Sequence, residues 1–586
     1  MKEFMPTKQR LAQAILALLA FGYLVSGLVY LYGGRWMVTM QDYWVIYDTC
    51  LNRSFIESAL TKVNHQPVVF PSLIWLADLR LAHGNQELLF FVGTALLCGT
   101  VALLLLPFWQ DATISTTAKL EASLVVIVAS FWMARASITT SGGFNCICSL
   151  ALGRAMAAIL YLSRAESGAT PSLRIHLLVL GAAFVASFSF GTGLAIWPTL
   201  LVLGWSMRLP WRSLLVITGG AIVAGVIYHF LPGQSGSTPA STTTVSWSAK
   251  AVLMLQYLCT LLGAPILYGQ AAWGANALTS KDATLSWISP VAGALGLISA
   301  GTVIALRILR RDLGRSRSFG SALGLVLFTL FTMVLVVIGR ADRFRSIPSE
   351  VAAPRYLFWS TLFWAGLLLL LILAGSRWAN RWRWPVFALI VALPVLTFPL
   401  HYKEGLHWRH AQFLAHSAAT TLINDVRDDK QIAILFRKPA QVYKLAPQLR
   451  AARLDMFAPG LQDWLGQPET SLFAGRQNTR RFKANAKVQD LYPASNGTTS
   501  AKVTGQCKTL KGPSPELLVF VDEDGVVQGI GRSWTTSKFL HRIFYGGNLS
   551  NSFLGYINHY DPARRYFVRL ADGGSLSSEQ AVVQGQ

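Results

Sequence analysis

Long apolar runs recur along the first 400 residues at a length that fits membrane-spanning helices. A span needs about 20 consecutive, mainly apolar residues. Polar or charged residues separate most runs from the next, as expected where a helix leaves the membrane. The pattern predicts a mainly α-helical, polytopic transmembrane bundle of about eleven spans, at residues 11–33, 87–107, 118–136, 146–163, 175–190, 192–207, 213–231, 286–307, 320–339, 357–374 and 384–400.

Two parts of this region need separate interpretations. The runs at 175–190 and 192–207 are short and flank Phe190–Gly193, which predicts a broken or tilted pair of helices. The run at 250–268 is apolar enough to span, but counting it would move the arginine-rich segment 307–317 to the outer side. Because cytoplasmic loops carry an excess of Lys and Arg, we predict that 250–268 lies on the outer membrane face.

The pattern changes near residue 400. Residues 405–426 predict an amphipathic helix, and the apolar run at 431–436 predicts a short strand. From about residue 500, strand-length runs alternate with Gly, Asp and Asn, and Asp524-Gly525 between two apolar runs is typical of a hairpin turn. We therefore predict an α+β domain at 401–586 that contains a β-sandwich and is β-rich from about residue 500.

Composition supports this division between a membrane part and an aqueous part. The 586 residues are 53% apolar and 13% charged, whereas soluble domains average about 25% charged residues. Charged residues number 41 in positions 1–400 and 38 in the 186 positions that follow. The net charge of +23 would suit nucleic acid, but much of the surplus lies in short loops between apolar runs. We therefore predict no nucleic-acid partner.

Loop charges predict the orientation of the chain. Lys2, Lys8 and Arg10 precede the first run, which is too long for a cleaved signal peptide. We predict a retained first helix with its N-terminus in the cytoplasm. The cytoplasmic loops then include Lys119 and Arg164, while the outer segments are 34–86, 137–145, 232–285, 340–356 and the tail from residue 401.

The first outer segment is the richest in candidate catalytic groups. Asp42 follows the first span closely and precedes Tyr43 and Trp44, whose rings can stack on a sugar or lie at the headgroup level. A carboxylate at a membrane boundary can act as a general base, and capping of a helix is the equal alternative for Asp42.

Further along this segment, Asp48 is interpreted mainly as structural. Asn64 directly precedes His65, whose ring can bind a phosphate or a sugar hydroxyl. A hydrogen bond at a helix entry is the alternative role for His65. Asp78 lies in an amphipathic stretch where it can pair with Arg80.

A second set of candidates lies in the outer segment 340–356. Arginines gather there against the positive-inside trend, which indicates an anionic ligand, because arginine binds phosphate through two parallel hydrogen bonds. Pairing with lipid headgroups, Asp342 and Glu350 is the alternative. The residues concerned are Arg340, Arg343, Arg345 and Arg355, with Tyr356 beside the last of them.

A third set concerns irregular backbone at membrane depth. Gly191 and Gly193 interrupt a predicted helix, and Asn145 lies at the outer end of a span, so all three are predicted to line a cavity. Close helix packing is the alternative for the glycines. The six cysteines show no metal-binding spacing, a metal site at His401, His407 and His410 is disfavoured, and a Cys50–Cys507 disulfide is a further hypothesis.

Together these segments resemble the GT-C superfamily of membrane glycosyltransferases. The stretch from Asn64 to Leu73 resembles a recurrent N-E-H-R-x-x-F-P-R-L segment of a large bacterial group, although the Glu and Arg are missing here. Gln41-Asp42 replaces a paired acidic motif. The segments FGTGLAIWP at 190–198 and APRY at 353–356 also match, so the resemblance extends over most of residues 1–400.

The resemblance implies an inverting transfer in a bacterial inner membrane, with the tail in the periplasm. Asp42 would be the base, and Arg340, Arg343 and Arg355 would bind the phosphate of a polyprenyl-phosphate sugar donor, with arabinofuranose as one candidate sugar. The acceptor would be a periplasmic glycan, lipopolysaccharide or a protein such as a pilin, held by the tail. Some relatives use a divalent cation, so that cofactor stays open.

Two other classes of membrane protein fit the sequence less well. A flippase or permease for lipid-linked glycans would carry charged residues along its spans, and few Asp or Glu residues fall there. An O-antigen ligase or polymerase would have its large outer loop late in the chain, whereas the long loop here comes first.

Overall fold

The computed structural model describes residues 7–164, 171–233, 247–271, 287–309, 316–375, 380–473, 477–478, 482–493, 498–509, 517–533, 552–572, 575–577 and 580–585. The arginines at 310, 311 and 315 and parts of the predicted outer segment 232–285 lie outside these ranges. The described part of the chain is mainly helical. Its α-helices are α1 (Thr7–Gly33), α2 (Tyr43–Asn52), α3 (Phe55–Leu60), α4 (Val69–Leu81), α5 (Glu87–Gln110), α6 (Thr116–Phe131), α7 (Ala136–Thr139), α8 (Gly142–Leu162), α9 (Leu173–Ser189), α10 (Ile196–Ser206), α11 (Trp211–Phe230), α12 (Trp247–Ala271), α13 (Ile288–Leu309), α14 (Arg317–Ser346), α15 (Leu357–Gly375), α16 (Asn380–Ile423), α17 (Asp429–Leu435), α18 (Pro439–Ala451) and α19 (Glu469–Phe473).

Among the described residues, ten helical segments are long and apolar enough to cross a membrane. These segments identify a multi-pass membrane protein and confirm most of the predicted spans. Exposed apolar side chains on them, such as Phe21 and Ile222, face outward as lipid-facing residues do. The segments are Gln9–Gly33, Glu87–Gln110, Thr116–Thr139, Gly142–Leu162, Trp211–Phe230, Lys250–Gln270, Ile288–Leu309, Arg317–Ser346, Pro348–Gly375 and Arg383–Ile423.

The predicted break near Phe190–Gly193 is confirmed. Helix α9 ends at Ser189, a 3₁₀ turn spans Gly191–Ala195, and α10 begins at Ile196. Phe190 is extended and cannot continue the helix. Helices α9 and α10 are short, at 17 and 11 residues, and neither is among the ten long apolar segments, whereas Lys250–Gln270, which was not counted as a predicted span, is one of them.

Helix α12 covers the run that we expected on the outer membrane face. It is 25 residues long and qualifies by length and composition as a span, so its sequence alone does not separate the two placements. It packs closely against α13, where Gly263 and Gly293 bring the two backbones together. Its ring contacts include Tyr257 against Phe344, with centroids 5.6 Å apart.

We expect Gly293→Ala to destabilise this helix pair. A Cβ at position 293 would overlap the backbone carbonyl oxygen of Cys259, which cannot move without shifting α12. Overpacking of this kind costs about 1–3 kcal/mol, so the melting temperature of the purified protein should fall by several degrees. Gly301→Ala in the same helix is the matched control, because a Cβ there meets no atom within 4 Å. Equal melting temperatures for the two variants would contradict the close approach.

The chain forms two compact units, which we call the helical unit and the barrel unit. The helical unit comprises Met1–Gly33, Phe55–Trp75 and Leu89–Trp408. The barrel unit comprises Gly34–Ser54, Leu76–Leu88 and Arg409–Gln586. The predicted outer segment 34–86 is therefore divided, because its first part and its last part fold with the tail.

Two predicted elements near residue 400 differ in the structure. The last predicted span and the amphipathic helix at 405–426 form one continuous helix, α16, of 44 residues. The run at 431–436 is not a strand, because most of it lies in helix α17. Asp428 caps α17 by accepting a hydrogen bond from the Gln431 backbone N–H at 3.1 Å, which favours the helix over the strand.

The tail ends in a closed β-barrel rather than the predicted β-sandwich. Seven strands form the ring β7-β4-β5-β6-β3-β2-β9, and β9 closes it by pairing with both β2 and β7. The β-rich part begins near residue 477, earlier than predicted. The strands are β1 (Gln477–Asn478), β2 (Phe482–Pro493), β3 (Thr499–Thr509), β4 (Leu517–Asp522), β5 (Val527–Ser533), β6 (Ser552–Ile557), β7 (Tyr566–Asp572), β8 (Ser575–Ser577) and β9 (Ala581–Gln584).

The Asp524-Gly525 hairpin is confirmed between antiparallel β4 and β5. Gly525 has φ +77°, which favours glycine, and the Asp522 carboxylate accepts hydrogen bonds from the backbone N–H groups of Asp524 and Val526. These contacts describe a hairpin turn that is stabilised by the Asp522 side chain.

Side chains of alternate strand residues fill the barrel. Leu518 and Phe520 belong to one buried cluster, whereas Val519 and Val521 belong to another on the opposite face of β4. Cys507 lies in the first cluster and is 1% exposed. All six cysteines are free, so the hypothesis of a Cys50–Cys507 disulfide is wrong for this structure.

Candidate functional site

The candidate base Asp42 lies in the barrel unit, at the start of α2. Gln41 before it adopts a left-handed conformation, with φ 51°, and its N–H donates to the Leu435 carbonyl oxygen at 2.6 Å. The Asp42 carbonyl oxygen accepts hydrogen bonds from the backbone N–H groups of Val45 and Ile46. Its side chain makes no capping hydrogen bond. The carboxylate is half-buried and caps nothing, so the general-base role stays a prediction and side-chain capping is excluded.

The two aromatic residues after Asp42 are not placed to stack on a sugar. Tyr43 and Trp44 are both 0% exposed. The Tyr43 ring lies edge-on to Trp36, with centroids 6.1 Å apart, and to Tyr47 at 6.0 Å. These rings form the core beneath α2, so the structure gives Tyr43 and Trp44 a packing role, and their contact with substrate stays a prediction.

Asp48 lies further along α2 and has local partners. Its Oδ1 accepts a hydrogen bond from Asn52 at 2.9 Å and lies 4.0 Å from the Lys444 ammonium. These contacts support the structural interpretation of Asp48.

A buried polar cluster close to Asp42 in the barrel unit escaped the sequence analysis. The Asp455 carboxylate accepts the backbone N–H of Thr39 at 3.1 and 3.2 Å, and the Asp455 N–H donates to the His83 carbonyl oxygen at 2.7 Å. Tyr47 donates to Asp78 at 3.2 Å and accepts from Gln86 at 2.5 Å. Asp78 and Asp455 are 0% and 3% exposed. The cluster therefore joins the segment before Asp42 to two other parts of the barrel unit.

Burial changes the ionisation of this cluster. Desolvation is the largest influence on Asp455, and together with the negative charge of Asp78 it raises the pKa of Asp455 to about 7 despite hydrogen bonds from Thr39. Desolvation, followed by the nearby carboxylates Asp78 and Asp455, also raises the pKa of the Tyr47 hydroxyl.

We expect the stability of the barrel unit to fall as the pH rises toward 7. The folded pKa of Asp455 is about 7 and that of an unfolded aspartate is about 3.9, so stability from this group is complete below about pH 4 and is lost up to about pH 7. Asp455→Asn removes this dependence. When the pH rises from 5 to 8, the free energy of unfolding of the variant should increase by about 3 kcal/mol relative to that of wild type. Thermal unfolding at both pH values measures this change.

The matched control for this prediction is Asp463→Asn. That side chain is 52% exposed and pairs with Arg453 at 3.0 Å. Its difference in unfolding temperature from wild type should be the same at both pH values. A parallel shift for Asp455→Asn would contradict the proposed ionisation of Asp455.

In the helical unit, Asn64 and His65 form a tight turn. Both have positive φ, 48° and 64°, and Val63 and Gln66 exchange backbone hydrogen bonds at 2.8 and 2.9 Å across the turn. His65 is exposed, and its carbonyl oxygen accepts a hydrogen bond from the Tyr228 hydroxyl at 2.9 Å. Among the described residues, the His65 ring makes no hydrogen bond to the start of a helix. An exposed ring at a turn is accessible to a ligand, so its binding role stays a prediction.

The residues predicted to line a cavity are instead packed against protein. A Cβ on Gly191 would overlap the Gln66 side chain, and one on Gly193 would overlap the Ala186 carbonyl oxygen. Asn145 is 0% exposed and accepts a hydrogen bond from Ser149 at 2.9 Å. Its amide lies near Gly93. The close-packing alternative therefore holds for the two glycines, and Asn145 is buried among protein groups.

The arginine-rich segment forms an ion-pair cluster around Glu350. Arg343 donates from Nε and Nη2 to the two Glu350 oxygens at 2.6 and 2.5 Å, and Arg355 donates from Nη2 at 2.5 Å. The Arg355 guanidinium lies over the Tyr356 ring, 5.0 Å from its centroid. Both arginine side chains are 40% exposed. Glu350 thus brings together Arg343 and Arg355 with Tyr356, as the alternative of pairing with Glu350 expected for these two arginines, while Arg340 lies one turn earlier on α14. Binding of an anionic ligand by these arginines stays a prediction.

His401 is buried in the helical unit and makes hydrogen bonds within it. His401 is 0% exposed, accepts the Met133 N–H on Nδ1 at 3.2 Å and lies 3.1 Å from the Ser26 hydroxyl. Within the described ranges, no group of three or more His, Cys, Asp or Glu side chains is placed to hold a metal ion.

Comparisons with known proteins do not extend this description. No family model matches the chain, and no curated protein or solved structure matches it.

Proposed function

We propose that the chain is an inverting glycosyltransferase that takes a sugar from a polyprenyl-phosphate donor. The observation that carries the proposal is the cluster of Arg343, Arg355 and Tyr356 around Glu350. The cluster lies between two helical segments of membrane-spanning length and apolarity, α14 and α15. A cationic site at the ends of apolar helices suits an anionic headgroup on a long apolar chain.

The reaction in this proposal needs one base and one anion site. The Asp42 carboxylate removes the proton of an acceptor hydroxyl, and the acceptor oxygen forms a bond to the anomeric carbon of the sugar. The bond from that carbon to the phosphate oxygen breaks, and polyprenyl phosphate leaves with the electron pair. Arg340, Arg343 and Arg355 stabilise the charge that develops on this phosphate.

A lipid-linked donor fits the chain better than a nucleotide sugar. The sequence carries no Walker A motif, and its described tail is a β-barrel with short helices rather than a nucleotide-binding α/β domain. A donor that arrives through the membrane needs only the membrane helices and an anion site. We place the protein in a bacterial inner membrane, with the barrel unit in the periplasm.

The barrel unit is proposed to bind the acceptor. Cell-surface glycan, lipopolysaccharide and a protein such as a pilin all present hydroxyl groups on that side of the membrane. Arabinofuranose is the sugar implied by the family resemblance. The donor and acceptor together define the first functional experiment.

The experiment follows a doubly labelled donor. Purified protein receives polyprenyl-phosphate sugars labelled with ³H in the sugar and ³²P in the phosphate, together with an envelope extract as acceptor. We expect ³H to appear on the acceptor while ³²P stays with the lipid as polyprenyl phosphate. Movement of both labels together onto the acceptor would indicate transfer of a sugar phosphate and would contradict the proposal.

The same donors separate transfer from flipping. In proteoliposomes without acceptor, a flippase or permease moves the intact donor between leaflets, with both labels still joined. A glycosyltransferase leaves the donor where it is under these conditions. Rapid leaflet exchange without transfer would favour the flippase.

A further inference from the structure

A buried arginine lies outside every feature that the sequence analysis selected. Arg135 ends a 3₁₀ turn, Met133–Arg135, directly after the apolar helix α6. Its side chain belongs to the largest that are completely buried, with 0% exposure. An arginine stays charged in a protein, and burial of an unpaired charge is costly.

The protein groups around Arg135 compensate this charge only in part. Nη2 donates to the Ser130 carbonyl oxygen, and the guanidinium lies over the Phe358 ring, 4.4 Å from its centroid. Across the described parts of the chain, Nε and Nη1 have no hydrogen-bond partner and no carboxylate pairs with this arginine. Two donor nitrogens of this buried guanidinium, Nε and Nη1, therefore lack a hydrogen-bond acceptor within the described residues.

The neighbouring turn offers further donors of the same kind. Both Met133–Arg135 and α7 pack against the 3₁₀ turn Pro354–Tyr356. In the part of the structure that is described, Arg355 Nε and the Tyr356 hydroxyl also lack a hydrogen-bond partner. Tyr356 is 6% exposed, and its ring packs edge-on against Phe344 with centroids 5.8 Å apart.

The charges of this region favour an anion. Glu350 is already bound by Arg343 and Arg355 at 2.5 Å, so its two oxygens are engaged with those two guanidinium groups. Arg135 adds a third positive charge from a different part of the chain. A ligand with several oxygen acceptors and negative charge would fill the donors of Arg135, Arg355 and Tyr356 together.

We propose that Arg135 binds the phosphate group of an anionic ligand, together with Arg355 and Tyr356. That this ligand is the lipid-linked sugar donor rests on the proposed function. The shared chemistry is a phosphate ester or free phosphate, and guanidinium groups suit it because two parallel N–H donors match two phosphate oxygens. Arg135 is then a ligand-binding residue whose side chain is already buried among the helices before the ligand binds.

The test measures binding and needs neither sugar nor acceptor. Purified full-length protein in detergent is titrated calorimetrically with farnesyl phosphate, farnesol, or inorganic phosphate. The variants are Arg135→Gln and Tyr356→Phe, which keeps the ring against Phe344 and removes only the hydroxyl. Arg307→Gln is the matched control, because Arg307 is also buried, at 7% exposure, and lies over the Phe319 ring at 5.9 Å.

We expect wild type and Arg307→Gln to bind farnesyl phosphate and not farnesol. Arg135→Gln should bind about 10- to 100-fold more weakly, the range for hydrogen bonds to a charged group, and Tyr356→Phe about 3- to 10-fold more weakly. If Arg135→Gln fails to fold, the Tyr356→Phe result decides. Binding of inorganic phosphate as tightly as farnesyl phosphate would assign the site to free phosphate instead of a lipid.

Two results would overturn the proposal. One is wild-type protein that binds neither phosphate probe. The other is equal affinity in wild type and both site variants. Since sugar transfer is not measured, a failure of the transfer assay with intact farnesyl phosphate binding would refute the proposed function and leave the anion site standing.

Discussion

Asp42→Asn should lower the rate of sugar transfer by about 10²- to 10⁴-fold, the range for loss of a general base. Asparagine keeps the size of the side chain but cannot accept the proton of the acceptor hydroxyl. The fold should persist, because asparagine matches the aspartate in size and Gln41 still fixes the preceding turn through Leu435. The measurement is the initial rate with the labelled donor, at saturating acceptor.

Binding separates a catalytic role for Asp42 from a structural one. The Kd for farnesyl phosphate should change by less than about threefold in Asp42→Asn, because a base acts on the acceptor in the transition state. Asp48→Asn is the matched control on the same helix, since Asp48 contacts Asn52 and Lys444. Its rate should stay near wild type. An undiminished rate in Asp42→Asn, or an equal loss in Asp48→Asn, would remove Asp42 as the base.

Lys502→Met should destabilise the barrel unit by about 3–5 kcal/mol, the cost of a buried ion pair that loses one partner. Lys502 on β3 donates to Asp428 at 3.0 Å, and the two side chains are 7% and 1% exposed. Tyr556 donates to the same carboxylate oxygen at 2.9 Å. Methionine fills the volume of the lysine stem but leaves the Asp428 charge buried without its cation.

The ionisation of Asp428 determines how the loss of stability in Lys502→Met depends on pH. Burial alone would raise the pKa of Asp428, but hydrogen bonds from Tyr492, Lys502 and Tyr556, among others, outweigh it and lower the pKa below its ordinary value. Stability from this group is therefore present above about pH 4 and is lost as the pH falls below it. The loss in Lys502→Met should be largest near neutral pH and smaller in acid.

Two further variants complete the measurement by thermal unfolding. Lys487→Met is the matched control, because Lys487 lies exposed on the neighbouring strand β2. It should change stability by less than about 0.5 kcal/mol. Asp428→Asn combined with Lys502→Met should recover part of the loss, since the isolated charge is gone. Equal effects of Lys502→Met and Lys487→Met would contradict a buried ion pair.

Elements set by local pattern were predictable from the sequence. The apolar runs correspond to long helices because the thickness of a bilayer fixes how many apolar residues a membrane-spanning helix needs. The helix break near Phe190 and the hairpin at Asp524-Gly525 were also predictable, since glycines mark both places in the sequence. These features need no knowledge of distant contacts.

Other elements depend on distant residues and escaped the analysis. Alternating strands predict a sandwich and a barrel equally well, and only the pairing of β9 with β2 and β7 closes this barrel. The run at 431–436 was ambiguous because short apolar runs fit strands and helices alike. Its helix cap at Asp428 was a local signal that the analysis missed.

The candidate sites show the same division. Asp42 and the arginines were visible because charged residues stand out beside apolar spans. The burial of Tyr43 and Trp44 was not visible, because it depends on neighbours such as Trp36. Asp455 gave no local signal, since it meets Thr39 from 416 positions away. Arg135 follows an apolar run, where a lone arginine resembles an ordinary interface anchor.

The central claim is that transfer takes place on the face of the membrane opposite the cytoplasm, and labelling of single cysteines tests it directly. In a background with the native cysteines replaced by serine, Asp463→Cys marks the barrel unit and Arg164→Cys marks the loop between α8 and α9. Spheroplasts are treated with a maleimide that cannot cross membranes. We expect Asp463→Cys to label in intact spheroplasts and Arg164→Cys only after lysis. Labelling of Asp463→Cys only after lysis would place the barrel unit in the cytoplasm and contradict the account.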